Sequence, residues 1–552
     1  MQRPIFNRKS ISFVLGICFS IAICIVQFQA SMSIADTYYE VGGCDPFGYA
    51  RQARLFRQAE HPLDGFNTDL QDDAYQHLKT WAQSTELNPK DWFQMVAPHC
   101  HHYRTTSEKL IIQYPFGTGW LMSLLPEEHE RRWLAIGSLS IGAALGIFKL
   151  NREKNPLLQT FRAFNTLVLI TAIQTFWSRS DSLAPSILIA YVSAEMALAY
   201  AKTPQKRIQS LTALSIILGL LLGFSITIRP GNLFFWFAGF LAIGLVALTK
   251  PVQSQALTRT IGWGTLSLLP GTLANFYFNA VNTGSAFATT YTPKDTRLTD
   301  NTETILSNYS KLSNENGTIL LFICAGLAVV TLIKLMASRQ PSKDNLAFLK
   351  LSTILFTGWG SLILLLLLST AKIVFLPYYL VCQVVFTSTL ICCSDFGQSS
   401  VVPPNQDWRQ KTHSPWSHHI RTVVMTLSSL VIMVQTLSQS NITKPTDNPL
   451  PGIDRDNSIV WAADIGSYFY YYYGLPTAKL LDANSESQNE AVDFLQEKGI
   501  SQYFVDEYKI PELVQLLKLG ERPLEKVGEF RGKSIFLLKP SLRQQDAAES
   551  ST

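Results

Sequence analysis

Runs of about twenty apolar residues, broken by short polar turns, fill most of the chain; that length crosses a ~30 Å hydrocarbon layer as a helix. The runs predict eleven spans, near 11–30, 133–150, 157–177, 182–200, 209–228, 233–249, 261–280, 317–336, 351–370, 373–393 and 422–439. Two long polar segments, 31–132 and 440–552, and a medium one at 281–316 interrupt the series. Lys and Arg recur in every segment on the N-terminal side, from Arg3, Arg8 and Lys9 through Lys202, Lys206 and Arg207 to Arg409, Lys411 and Arg421. Cytoplasmic loops carry such a bias. The expectation is a multi-pass protein of the cell (inner or plasma) membrane, N-terminus cytoplasmic and C-terminus extracytoplasmic. The first run follows a basic start and precedes Gln29-Ala30-Ser31. It is long for a secretory h-region, so an uncleaved anchor is expected.

Past Asn457 the pattern changes. Ser458 to Ala462 reads as a buried strand, Glu490 to Lys498 as an amphipathic helix and Gln502 to Val505 as a strand. Pro511 to Leu519 reads as another helix and Ser534 to Leu538 as a last strand. The expected organisation is a transmembrane domain over 1–440, a linker at 441–456 and a small extracytoplasmic α/β domain over 457–552. The aromatic run Tyr468 to Tyr473 suits either carbohydrate stacking or a packed aromatic core.

Composition agrees with the membrane reading. Of 552 residues, 47% are hydrophobic and only 16% charged. A net charge of +5 is small for this length, and its cations sit in the loops between spans, so no nucleic-acid partner is expected. No Gly-x-Gly-x-x-Gly follows a soluble strand and no Walker segment occurs, so no nucleotide cofactor is expected. Most cysteines lie in or beside apolar runs; Cys44 and Cys100 share the first large loop, where they could pair in an oxidising compartment or stay reduced.

Chemistry-bearing residues gather at the outer boundary. Asp45 stands in Gly42-Gly43-Cys44-Asp45-Pro46-Phe47-Gly48-Tyr49, past the first span. It is either a turn residue before proline or a base at the membrane surface. Asp181 opens the fourth span, where capping and catalysis could coexist. Arg179, Arg229 and Lys372 lie at outer helix ends, suited to clamping a phosphate or to snorkelling. His99, His101 and His102 are spaced for ligating a divalent metal, or are solvated loop residues.

Taken in order, these features resemble the GT-C superfamily of membrane glycosyltransferases. The likeness is to its bacterial branch related to protein O-mannosyltransferases and to aminoarabinose and lipopolysaccharide-core sugar transferases. Asp45 with Gly48-Tyr49-Ala50-Arg51 resembles the family's acidic start of the first outer loop. Tyr114-Pro115-Phe116-Gly117 resembles its Tyr-Pro-Pro-Gly segment, with Phe116 in place of a proline. Ile228-Arg229-Pro230 resembles its Arg-Pro, and Asn279, Gly284 and Tyr291 its Asn, Gly-Ser, Tyr pattern. Leu376-Pro377-Tyr378-Tyr379 resembles a later segment but lacks the usual Arg.

The resemblance implies a mainly α, GT-C-like polytopic bundle with a large first outer loop. It implies an inverting hexosyl- or pentosyltransferase of the cell envelope that moves a sugar from a polyprenyl-phosphate donor to a hydroxyl of a glycan, lipid or protein acceptor. Asp45 would be the general base, with Asp181 also catalytic. Arg229, Arg179 and Lys372 would bind the lipid phosphate, and Tyr49, Tyr114 and Tyr291 would form a substrate loop. Some relatives carry a divalent metal in the first loop. The competing classes are a transporter or flippase, and a polymerase or ligase of polyprenyl-linked glycans. The outer, not mid-span, acidic groups and the absence of a hydropathy repeat speak against transport.

Overall fold

The computed structural model describes residues 8–36, 44–71, 73–83, 89–98, 101–104, 106–127, 129–202, 208–233, 262–291, 323–331, 333, 358–359, 376–394, 423–424, 426–429, 431–436, 450, 452–463, 465–479, 485–507, 523–530 and 532–539. The chain divides into two compact units. One holds Met1–Thr37, Leu124–Asn275 and Pro293–Asn441; the other holds Tyr38–Ser123, Phe276–Thr292 and Ile442–Thr552.

In the first unit, five helices are long and apolar enough to cross a membrane: Ile11–Ala35, Glu130–Arg152, Pro156–Arg179, Leu183–Tyr200 and Gln209–Ile228. They match the first five expected spans. The first runs on past the expected end at Ala30, because Ser31 to Ala35 stay helical with Ile34 and Ala35 buried. The expected span at 261–280 is broken by a turn at Ser267–Leu268 and resumes over Leu269–Thr283. The span at 373–393 is present as Leu376–Cys393. Those at 233–249 and 351–370 lie wholly or almost wholly outside the described residues.

These helices associate through small residues and polar pairs, as apolar lipid provides no hydrophobic drive between them. Gly142 and Gly146, four apart, face Leu169 and Thr166; a Cβ on either would come within 2.5 Å of them. Gly219 and Gly223 repeat the spacing against the backbone of Gly264 and Leu268. Gln27 donates to Ser140 Oγ at 3.1 Å and to the Ser429 carbonyl at 2.7 Å. Asn151 donates to Ser20 Oγ at 2.9 Å, and Ser388 donates to Asn165 Oδ1 at 2.6 Å. Arg162 pairs with Glu195 at 2.9 Å, with Lys149 on the same carboxylate at 3.3 Å. Each of the groups just named thus finds a partner inside the bundle, as hydrocarbon favours.

The second unit begins with α1 (Cys44–Gln58), α2 (Asp73–Ala82) and α3 (Pro89–Val96). A hairpin of β1 (His101–Arg104) and β2 (Lys109–Ile112) follows, then α4 (Gly117–Ser123). Beyond residue 457 come β3 (Ser458–Ala462), α5 (Gly466–Tyr473), β4 (Thr477–Lys479) and α6 (Ser485–Glu497). They are followed by β5 (Ser501–Val505), β6 (Leu524–Phe530) and β7 (Lys533–Leu538). The sheet order is β4-β3-β5-β7-β6; β3 is parallel to β4 and β5, and β7 is antiparallel to β5 and β6.

One core joins this sheet to the segment between the first two long helices. Leu78, Trp92, Met95 and Leu110 pack with Ile459, Trp461, Val492 and Phe504. The expected helix at 511–519 lies outside the described residues, whereas β4 and β6 were not legible in the sequence. Phe469 and Tyr470 of the aromatic run are buried, Phe469 against Tyr473 and Phe530. For these two rings the core reading holds and sugar stacking does not.

Candidate active site

Helix α1 brings its chemistry to one face. Asp45, Tyr49 and Gln52 stand at i, i+4 and i+7, the spacing that stacks side chains on one stripe. Asp45 lies in the first turn, where the helix dipole favours a carboxylate. It accepts a hydrogen bond from the Tyr114 hydroxyl at 2.5 Å. Tyr49, almost fully buried, stacks on Tyr114 with centroids 4.7 Å apart and planes at 27°. Tyr291 meets Tyr114 edge-on at 6.2 Å. Gln52 Nε2 donates to the Tyr114 carbonyl at 2.8 Å. A half-buried carboxylate is therefore hydrogen-bonded to Tyr114, whose ring is held in turn by Tyr49 and Tyr291.

Glycine at 119 permits this packing. A Cβ there would sit 2.3 Å from Gln52 Cβ and 2.8 Å from its Oε1. Gly119→Ala is expected to destabilise the protein by about 1–3 kcal/mol and to displace the Gln52–Tyr114 contact. Thermal unfolding read with turnover checks both effects.

Residues 276–291 are fastened to the same unit by Asn282, which the sequence did not single out. Its Oδ1 accepts from Thr68 N at 2.9 Å and Thr68 Oγ1 at 2.8 Å; its Nδ2 donates to the Phe66 and Phe278 carbonyls, both at 2.8 Å. Arg104 donates to the carbonyls of Thr289 and Tyr291, and Lys109 to that of Val281 at 2.8 Å. Gly284 turns the chain out of the helix at φ 79, a left-handed conformation suited to glycine. Asn279, the residue of the family pattern, makes a weaker contact, Nδ2 to the Ala286 carbonyl at 3.4 Å. Asn282→Ala should cost about 2–3 kcal/mol, because the buried Thr68 N–H and hydroxyl lose their acceptor. Denaturant titration of the purified protein measures it.

Two of the three clustered histidines are not in a loop. His101 and His102 lie on strand β1, paired with Ile112 and Ile111, and successive strand residues point to opposite faces. They therefore cannot close on one ion together, and His99 and Cys100 lie outside the described residues. Among the described residues no group of three His, Cys, Asp or Glu could hold a metal ion. His101 is buried and its carbonyl accepts from Lys479 Nζ at 3.5 Å.

Neither ring nitrogen of His102 has a hydrogen-bond partner among the described residues. Burial first, then Arg104 and Lys479, push its pKa down to about 3. The unfolded chain binds a proton below about 6.5, which the folded one refuses until about pH 3. Stability is thus whole above pH 6.5 and is lost as pH falls through that window, by at most ~1.4 kcal/mol per unit. His102→Gln should flatten the slope of melting temperature against pH between 6.5 and 4.

In the first unit, Asp181 is buried, and Arg131 Nε meets its Oδ1 at 2.5 Å. The helix that Asp181 was expected to open begins at Leu183. Ser182 precedes the first helical residue, Leu183, and its carbonyl accepts from Ser186 N. Arg229 is also buried, and its Nη1 donates to Ser182 Oγ at 3.3 Å. Asn232, one turn on, donates to Ser186 Oγ at 3.0 Å. Arg131, which helix periodicity alone could not flag, joins Asp181, Ser182 and Arg229 in a cluster at the helix ends. Arg179 is exposed in the short turn Trp177–Arg179, and Lys372 lies outside the described residues.

No protein-family model and no curated protein matches the chain. Among solved structures it is similar to ArnT from Cupriavidus metallidurans. The apo crystal structure is 13% identical, with 94% of this chain and 97% of that chain covered and a TM-score of 0.46. The form bound to undecaprenyl phosphate is 10% identical at the same coverages, with a TM-score of 0.39.

Proposed function

We propose that this protein is a GT-C-like membrane glycosyltransferase that moves a sugar from a polyprenyl-phosphate donor to an acceptor hydroxyl at the outer face. The carrying observation is the Asp45 carboxylate held by Tyr114, whose ring is fixed by Tyr49 and Tyr291. A carboxylate so placed takes the proton of an acceptor hydroxyl. The freed oxygen forms a bond to the anomeric carbon as the bond from that carbon to the phosphate oxygen breaks. Configuration inverts and polyprenyl phosphate leaves.

In this reading Arg229, oriented by Ser182, is the cation for the leaving phosphate. Asp181 is the counter-charge that holds Arg131 and not a second base. Arg179 and Lys372 are secondary phosphate contacts, and the half-buried Tyr291 is the tyrosine that meets the sugar, with Tyr49 and Tyr114 packed behind it. The described histidines do not fit a metal site, so no step is routed through a metal.

The test is reconstitution in lipid vesicles with a panel of undecaprenyl-phosphate sugars and crude envelope glycan and lipid as acceptors. Release of undecaprenyl phosphate coupled to sugar transfer is expected. Movement of labelled donor across the bilayer without release would instead favour a flippase.

A further inference from the structure

We infer that Gln113 and Tyr114 form a directional hydrogen-bond relay that selects which oxygen of Asp45 acts as base. This rests on the reading of Asp45 given above. A phenol has one proton to give and accepts through its oxygen lone pairs. Gln113 Nε2 donates to Tyr114 Oη at 2.9 Å. With the amide N–H on a lone pair, the phenolic proton is sent to Asp45 Oδ1, which lies 2.5 Å away. Oδ1 is therefore engaged, and Oδ2 is the oxygen that meets the acceptor.

Every part of the relay is itself fixed. Gln113 follows the last residue of β2, and its carbonyl accepts from Thr290 Oγ1 at 2.9 Å. The Tyr114 carbonyl is gripped by Gln52 from the same helix face as Asp45. The Tyr114 ring is stacked on Tyr49 and edge-on to Tyr291, so its hydroxyl cannot swing away without breaking both contacts. Gln113 touches no reacting atom. It is a positioning residue that acts through Tyr114.

The test compares kcat and KM for Gln113→Leu, Gln113→Glu, Tyr114→Phe and the Gln113→Leu/Tyr114→Phe pair. Loss of carboxylate positioning should lower kcat about 10- to 100-fold in Tyr114→Phe, with the donor KM within about twofold. Gln113→Glu should lose comparably, because a carboxylate accepts and turns the phenolic proton away from Asp45. Gln113→Leu should have no added effect once Tyr114 is Phe. Wild-type kcat in Gln113→Glu, or additive losses in the pair, would overturn the relay.

A second readout needs no turnover. Melting temperatures of Asp45→Ala, Tyr114→Phe and their double variant should show coupling. Additive shifts would overturn the hydrogen bond. Coupling without turnover on any donor would sink the transferase reading and leave the bond standing.

Discussion

Asp45→Asn is expected to lower kcat for sugar transfer by about 10²- to 10⁴-fold, the usual contribution of a general base. Asn keeps an oxygen for the Tyr114 hydroxyl and nearly the same shape, so the packing of Tyr49, Tyr114 and Gln52 should survive. What is lost is the ability to take a proton. The donor KM should stay within about threefold, because the donor's phosphate is not bound by this carboxylate. The melting temperature should move by no more than about 2 °C. Parallel kinetics and thermal unfolding of the two proteins give all three numbers. A large fall in melting temperature would mean that Asp45 holds the fold instead.

Asp181→Ala is the second large effect, and it falls on stability. The Arg131–Asp181 pair has side chains only 9% and 1% exposed. Removing one partner leaves a buried guanidinium facing a vacated carboxylate, which costs about 3–5 kcal/mol. Replacing both with leucines should recover much of that loss, since two desolvated charges disappear together. A catalytic Asp181 would behave differently: Asp181→Asn would keep the melting temperature and lose turnover. Denaturation curves of Asp181→Ala, Asp181→Asn and the double leucine variant separate the two roles.

How far the sequence could be read depended on the kind of force involved. Span positions were legible because lipid demands about twenty apolar residues in a row, and the five described long helices fall where those runs are. The i, i+4, i+7 stripe of Asp45, Tyr49 and Gln52 was readable in principle once a helix start at Cys44 was assumed. The partnership of Asp45 with Tyr114 was not, because the hydrogen bond closes over sixty-nine residues. Arg131 looked like an ordinary basic residue at a helix start, and only the fold puts it on Asp181. Asn282 is one asparagine among several near a helix end; three of its four hydrogen bonds are tertiary, to Thr68 and Phe66. The hairpin at His101–Ile112 was hidden because four-residue strands carry too little alternation to outweigh a polar, histidine-rich composition. The sheet strands that were missed, Thr477–Lys479 and Leu524–Phe530, are edge strands, one only three residues long and the other charged and mostly exposed.

The most direct test of Asp45 as base supplies Asp45→Ala with azide, a nucleophile that needs no deprotonation. The account predicts restored release of undecaprenyl phosphate from an undecaprenyl-phosphate sugar. It also predicts a glycosyl azide whose anomeric configuration is inverted relative to the donor. No restoration at an unchanged melting temperature, or an azide of retained configuration, would contradict it.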